Sequence, residues 1–209
     1  AGKKNIPVIV DSAYASPVPN VCYTPMKYVR GKNVITTFSF SKAGLAATRL
    51  GVAVGDKKYI DAVKAFQANV CIFPPVFGQE VARRMLHNGK LARLCEKEVK
   101  PFYKKRLEIF RKACAEFIDD AVPYYIHKSE GTFFAWIWFK DLPVNDWKLF
   151  ELLKSQGVIV VPGSPFFPGA GKGWMHAQEC IRLSVTGTEK DIRAGVKGLA
   201  GVVNKLYKK

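Results

Sequence analysis

A mixed α/β fold is predicted for this 209-residue chain by three features of its sequence. Two short apolar, β-branched runs, residues 6–10 (Ile-Pro-Val-Ile-Val) and 34–40 (Val-Ile-Thr-Thr-Phe-Ser-Phe), read as strands that end in polar residues. The middle of the chain carries apolar residues at helical spacing, and the last third alternates strand, helix, strand, strand, helix.

The elements follow in order. Residues 6–54 read as three strands, with a loop around Pro17, Pro19 and Pro25 between the first two and a third strand over 49–54. Residues 56–68 place Ile60, Val63 and Phe66 on one helical face, Pro74-Pro75 stops that helix, and 77–86 starts another. A long helical pattern over 90–119 has Leu94, Phe102, Leu107 and Phe110 on one side, with Pro101 marking a kink or a junction. Residues 132–139 (Thr-Phe-Phe-Ala-Trp-Ile-Trp-Phe) suit a half-buried strand, and an aromatic stripe of this kind is expected to be core. Asn145 is placed to cap the next helix and Gly157 to close it. Thr188 with Asp191 forms a capping pair for the last helix, whose Ile192, Val196, Leu199 and Val203 share a face.

The chemistry gathers at strand ends. Ser39-Phe40-Ser41-Lys42 leaves the second strand, and Arg49 follows seven residues after the lysine. A lysine beside two hydroxyls and a guanidinium suits a carbonyl cofactor that carries a phosphate. The amine forms a Schiff base, and Ser39, Ser41 and the planar fork of Arg49 bind phosphate oxygens. Ser-x-Ser-Lys alone is a common string; its weight comes from the first strand, which ends in Asp11-Ser12-Ala13-Tyr14. An acid at the carboxyl end of a parallel strand faces the crevice where α/β proteins bind ligands. Asp11 can there pair with a protonated pyridine nitrogen, and Tyr14 can reach a phenolic oxygen.

These segments resemble the fold-type I pyridoxal-phosphate aminotransferases. Asp11-Ser12-Ala13-Tyr14 is similar to their Asp-x-Ala-Tyr, and Ser39 through Gly51 to their lysine and phosphate segment. The likeness continues through His127-Lys128-Ser129-Glu130-Gly131, residues 137–143, 157–163, Phe166-Phe167-Pro168-Gly169, Cys180-Ile181-Arg182 and Ala194-Gly195-Val196-Lys197. It departs at Ala47, where members often carry glycine. The resemblance implies the carboxy-terminal part of an aspartate aminotransferase-like fold, beginning in the middle of the cofactor domain. Residues 1–100 would be the second half of the large cofactor-binding domain, and 101–209 the small α+β domain entered through a long bridging helix.

The resemblance also implies roles. Lys42 and Asp11 would be catalytic; Asp11, Tyr14, Ser39, Ser41, Lys42 and Arg49 would hold pyridoxal 5′-phosphate. The implied reaction is ping-pong transamination between an α-amino acid and a 2-oxo acid. The members it most resembles act on valine and pyruvate, so small aliphatic substrates are expected. An aromatic amino-acid aminotransferase, a carbon–sulfur lyase on the same cofactor, or a non-catalytic cofactor-binding regulatory module would use the same cofactor residues. Arg182 lies among apolar neighbours, and a buried arginine is costly unless paired. Its family counterpart binds the substrate α-carboxylate, and an interdomain salt bridge is the other reading. The family implies a homodimer.

Composition bounds the rest. Lys and Arg number 33 against 17 Asp and Glu, a net charge of +16. The basic residues are scattered over amphipathic stretches, as solvated helix faces are, so no nucleic-acid partner is expected. No apolar run approaches the roughly 20 residues of a membrane span. The five cysteines are odd in number and lack Cys-x-x-Cys, and His87, His127 and His176 lack ligand spacing, so neither disulfides nor a metal site is expected. A cytoplasmic location is expected.

Overall fold

The computed structural model describes residues 1–14, 29–73, 75–129, 131–170 and 173–208. The loop around Pro17, Pro19 and Pro25, with Cys22, lies outside the described residues, as do Pro74 and Glu130. Two compact units are present: Ala1–Phe102 with Glu130–Thr132, and Tyr103–Ser129 with Phe133–Lys209.

The first unit is built on a three-stranded sheet in the order β1 (Val8–Asp11), β2 (Val34–Ser39), β3 (Gly51–Gly55). β1 and β2 are parallel, with Asp11 opposite Thr37. β2 and β3 are antiparallel, with Ser39 opposite Gly51. The apolar composition of the first strand favours burial, yet Ile9 is 69 % exposed. Burial alternates along β1: Ile9 and Asp11 lie on the exposed face, and Val8 and Val10 are half-buried. The third strand starts at Gly51 rather than 49, because Arg49 takes a left-handed conformation (φ 49°) that ends the preceding turn.

Helices α1 (Lys57–Val70) and α2 (Val76–His87) follow, the second capped by Pro75. The long helical pattern over 90–119 is three pieces: α3 (Lys90–Leu94), a π-helical turn (Cys95–Val99) and α4 (Lys100–Phe117). Pro101 falls just after the π turn. Its ring has no N–H to give to Lys97 and would crowd that carbonyl, and the wider turn accommodates both. Phe40, Ala43, Ala82, Leu91 and Cys95 form the buried cluster of this unit.

The second unit carries a four-stranded antiparallel sheet, β4 (Tyr124–Ile126), β5 (Phe134–Phe139), β7 (Cys180–Ser184) and β6 (Val161–Pro162), in that order. β4 has no counterpart in the sequence expectation. Alternation sorts β5 cleanly: Ala135, Ile137 and Phe139 are fully buried, while Phe134, Trp136 and Trp138 lie on the other face, half-buried. The aromatic stripe is therefore mostly not core.

Helices α5 (Asp146–Ser155) and α6 (Glu189–Tyr207) complete this unit. Asn145 Oδ1 accepts from the Lys148 amide at 2.8 Å, and Gly157 takes φ 75° past the helix end, as the sequence predicts. The α6 capping box is closed on both sides: Asp191 N donates to Thr188 Oγ1 at 3.2 Å and Thr188 N to Asp191 Oδ2 at 3.0 Å. α6 is further tied to the end of α4 through Asn204, which accepts from Asp119 N and donates to Phe117 O.

Candidate active site

The first unit brings six of the seven predicted residues onto one sheet edge. Asp11 ends β1, and its Oδ1 accepts from Ala13 N at 3.0 Å and faces the donating Thr37 Oγ1 at 3.5 Å. The carboxylate is thus turned toward β2 by the parallel pairing of Asp11 with Thr37. Tyr14 follows in the next turn, and Lys42 Nζ lies 5.3 Å from its ring centroid, within cation–π range.

Lys42 sits in a short 3-10 turn, Ser41–Ala43, entered directly from β2 through the buried Phe40. Ser39 Oγ accepts from Ser41 N at 3.3 Å, so the two serines flank Phe40 with one hydroxyl already engaged by backbone. Gly44, at φ 90°, turns the chain where a side chain would be strained. A second 3-10 turn, Ala46–Thr48, spans Ala47 and ends on Arg49, whose N–H donates to Ala46 O at 3.3 Å. Phe40 N donates to Leu50 O at 3.2 Å, closing the loop at its base and keeping Ser39, Lys42 and Arg49 in one connection. Arg49 also lines a cleft of about 430 Å³ with Thr37, Gln67 and Cys71.

Arg182, the seventh residue, belongs to the second unit. It lies opposite Trp136 on β5 and Val161 on β6. Its guanidinium carbon is 4.4 Å from the Phe134 ring centroid and 4.8 Å from that of Phe166. Its Nε is buried without a hydrogen-bond partner, and it has no carboxylate partner among the described residues. Arg182 is half-buried rather than buried: its guanidinium lies against aromatic rings, and its Nε alone is a buried donor without a partner.

Phe166 is held by the loop after β6. Gly163 approaches β7 so closely that a Cβ there would meet Cys180 O at 2.5 Å. Ser164 N donates at 2.7 Å to Asp146, a carboxylate only 1 % exposed. Trp136 meets Phe166 edge-on at 5.3 Å. Sequence reading missed Thr37, Phe134, Trp136 and Asp146 as neighbours of the site. The parallel register of β1 and β2 is the signal that would have found Thr37.

The donors fit a phosphorylated pyridine aldehyde: an amine beside a phenol, two turn hydroxyls and a guanidinium one loop away, and a carboxylate on the adjacent parallel strand. The unsatisfied Arg182 Nε is suited to an anionic acceptor. Among the described residues, no group of His, Cys, Asp and Glu is arranged to hold a metal ion. No helix among them is long and apolar enough to cross a membrane.

Strand, lysine turn and nearby hydroxyl and guanidinium donors together are those of an α/β protein whose chemistry suits a phosphorylated carbonyl cofactor. Comparison with known proteins makes this specific: the aminotransferase class I and II family matches residues 1–199, and the chain belongs to that family. Its cofactor is pyridoxal 5′-phosphate. The chain is 33 % identical over 207 residues to valine–pyruvate aminotransferase of Escherichia coli K12, covering 99 % of this chain and 49 % of that protein. The crystal structure of valine–pyruvate aminotransferase AvtA from Salmonella typhimurium LT2 superimposes with a TM-score of 0.93 at 33 % identity, over 100 % of this chain and 54 % of that one. A Psychrobacter arcticum 273-4 protein provisionally named an amino-acid aminotransferase gives 0.95 at 40 % identity, over 100 % and 48 %. The chain spans about half the length of the relatives it matches.

Proposed function

We propose that this chain supplies the lysine-bearing half of an aminotransferase that exchanges the amino group of a small aliphatic α-amino acid, valine or alanine, with a 2-oxo acid such as pyruvate. The observation that carries the reading is the gathering of Asp11, Tyr14, Ser39, Ser41, Lys42 and Arg49 on one edge of the β1–β2–β3 sheet. Similarity to valine–pyruvate aminotransferase supports the choice of substrates. Residues 1–100 then form the second half of the cofactor domain and 101–209 the small domain. A homodimer in the cytoplasm is part of this reading. The exposed Phe66, Phe73 and Phe77 in the first unit leave apolar surface that a partner subunit would cover.

Pyridoxal 5′-phosphate, when bound, supplies an electron-withdrawing ring that stabilises negative charge on the substrate α-carbon. The chain's own residues do the rest. Lys42 Nζ would hold the cofactor at its aldehyde carbon and, when free, would carry a proton at the substrate α-carbon. Asp11 keeps a proton on the pyridine nitrogen through its carboxylate. Ser39, Ser41 and Arg49 would hold the phosphate, and the Tyr14 hydroxyl would lie toward the phenolic oxygen. Arg182 would bind the substrate carboxylate, its guanidinium lying close to the rings of Phe134 and Phe166. Amino donor and acceptor would use these residues in turn.

The complete protein, supplied with pyridoxal 5′-phosphate and reduced with borohydride, should carry the pyridoxyl group on Lys42 by peptide mapping, and should convert valine plus pyruvate to the 2-oxo acid of valine plus alanine. A label on another lysine, or full turnover by Lys42→Ala, would overturn the reading. A preference for aromatic amino acids is the second reading, favoured by the rings of Phe134, Trp136 and Phe166 around Arg182. A higher kcat/KM for phenylalanine than for valine would establish it in place of the first.

A further inference from the structure

The Lys42 turn rests on a specific seat. Cys95, the first residue of the π turn, donates through Sγ to the carbonyl oxygen of Ala43 at 3.7 Å, although 52 residues separate them. Both residues are fully buried, in a cluster completed by Phe40, Leu91 and Ala82. Val99, the last residue of the same π turn, has its Cγ2 3.8 Å from where a Cβ on Gly44 would stand. The two ends of the π turn therefore touch two consecutive residues that follow Lys42. On the other side of the loop, α2 comes so close that a Cβ on Gly78 would meet Thr48 O at 2.6 Å, one residue before Arg49.

The geometry matters because the lysine turn has few bonds of its own. Ala43 N and Leu45 N share the Phe40 carbonyl, at 3.1 Å each. The Ala43 carbonyl is turned inward, and a buried carbonyl without a donor costs more than the net worth of an ordinary hydrogen bond. Cys95 supplies that donor. Burial raises the Cys95 thiol to about 11, so its proton stays in place at neutral pH. A π turn is an uncommon way to continue a helix, and here it presents Cys95 and Val99 together to the lysine turn.

We infer that Cys95, with Val99, is a positioning residue for Lys42: the π turn fixes the Ala43 carbonyl and so the direction in which the Lys42 side chain leaves the loop. The inference rests on the reading of Lys42 as the cofactor lysine. Cys95 touches neither cofactor nor substrate. It acts through the backbone of Ala43, and the same contact keeps Lys42 Nζ in register with the Tyr14 ring.

The test uses the complete protein freed of cofactor, as wild type, Cys95→Ala, Cys95→Ser and Cys114→Ala, the last removing a fully buried thiol from α4 in the second unit. The reading is the rate at which added pyridoxal 5′-phosphate becomes attached to Lys42, sampled by borohydride arrest and peptide mapping. Thermal unfolding of each variant is recorded beside it. Cys95→Ala is expected to slow attachment about 3- to 10-fold, the worth of one hydrogen bond. Cys95→Ser keeps a donor and is expected to stay within about twofold of wild type, as is Cys114→Ala whatever its loss of stability. Unchanged attachment in Cys95→Ala overturns the inference. Equal slowing by Ser and Ala also overturns it, since lost volume would then be the cause. Should Cys95→Ala not accumulate, Val99→Ala takes its place, with slowed attachment expected and an unchanged rate overturning the inference. Attachment at a lysine other than Lys42 in wild type overturns the functional reading itself, an outcome distinct from any effect of Cys95.

Discussion

Lys42 Nζ stands 5.3 Å from the centre of the Tyr14 ring, so the turn after the second strand meets the turn after the first. The phenol ring faces a cation there and carries a hydroxyl at its far end. In the complete protein, Tyr14→Phe keeps the ring and removes only the hydroxyl. It is expected to bind the cofactor about 3- to 10-fold more weakly, as one hydrogen bond dictates. Lys42→Ala is expected to lose at least about 100-fold in kcat, as loss of a proton-transfer group does. Cofactor titration followed by absorbance, and steady-state kinetics, check both.

Arg182→Lys keeps the charge but loses the planar fork and the contacts with Phe134 and Phe166. KM for the amino acid is expected to rise about 10- to 100-fold with a smaller change in kcat, because bidentate recognition of a carboxylate is what the fork supplies. A fall in kcat with KM unchanged would assign Arg182 to another task.

Gly163→Ala places a methyl group 2.5 Å from Cys180 O and 2.7 Å from Cys180 Cβ. Neither neighbour is a flexible side-chain tip, so the loop must move. A destabilisation of about 1–3 kcal/mol is expected, measured by urea unfolding. The same displacement would draw Phe166 from Arg182, so KM for the amino acid should rise in parallel.

Cys95, Cys114 and Cys180 are fully buried, and burial lifts their thiols to about 11, 12 and 11. Cys71 is exposed. Among these four, iodoacetamide at pH 8 is expected to label Cys71 alone in the native protein, with all four labelled after denaturation; peptide mapping reads the result. The folded state holds the three buried protons more tightly than the unfolded one, whose thiols titrate near 9. Stability should therefore fall as pH rises from about 9 through 11 and 12.

Glu80 accepts from Arg83 and Arg84 at 2.8 and 2.7 Å, and Arg83, the larger influence, holds its carboxyl at about 2 rather than 4.5. A lowered carboxylate value means stability that is present above about 4.5 and is lost as pH falls toward 2. Glu80→Gln should lower the melting temperature slightly at neutral pH and flatten its fall over that window by the same small amount, because the pairs lie in solvent.

What the sequence disclosed depended on how local each feature is. The Asn145 and Thr188 caps are set by residues three apart and were readable outright. Ser39, Ser41, Lys42 and Arg49 lie within one short connection, so their gathering followed from the strand pattern. The exposure of Ile9 was not readable, since the burial of a strand depends on what packs against it and not on its own composition. β4 escaped notice because three residues, Tyr124–Ile126, are too few to establish an alternation. Phe166 over Arg182 and Cys95 under Ala43 join distant parts of the chain, and no spacing announces them. The π turn has no periodic signature either; Pro101 marked the place without revealing the form.

The pairing of Asp11 with Thr37 spans 26 positions of chain, whereas the β2–β3 connection is local. Chain closure over the longer separation is slower, and parallel strands gain less per residue when they meet. The serines, Lys42 and Arg49 should accordingly acquire their native arrangement during folding before the carboxylate of Asp11 arrives. The first turn-sized piece to form would be a cradle for phosphate, and the proton-holding wall of the site would be added to it last.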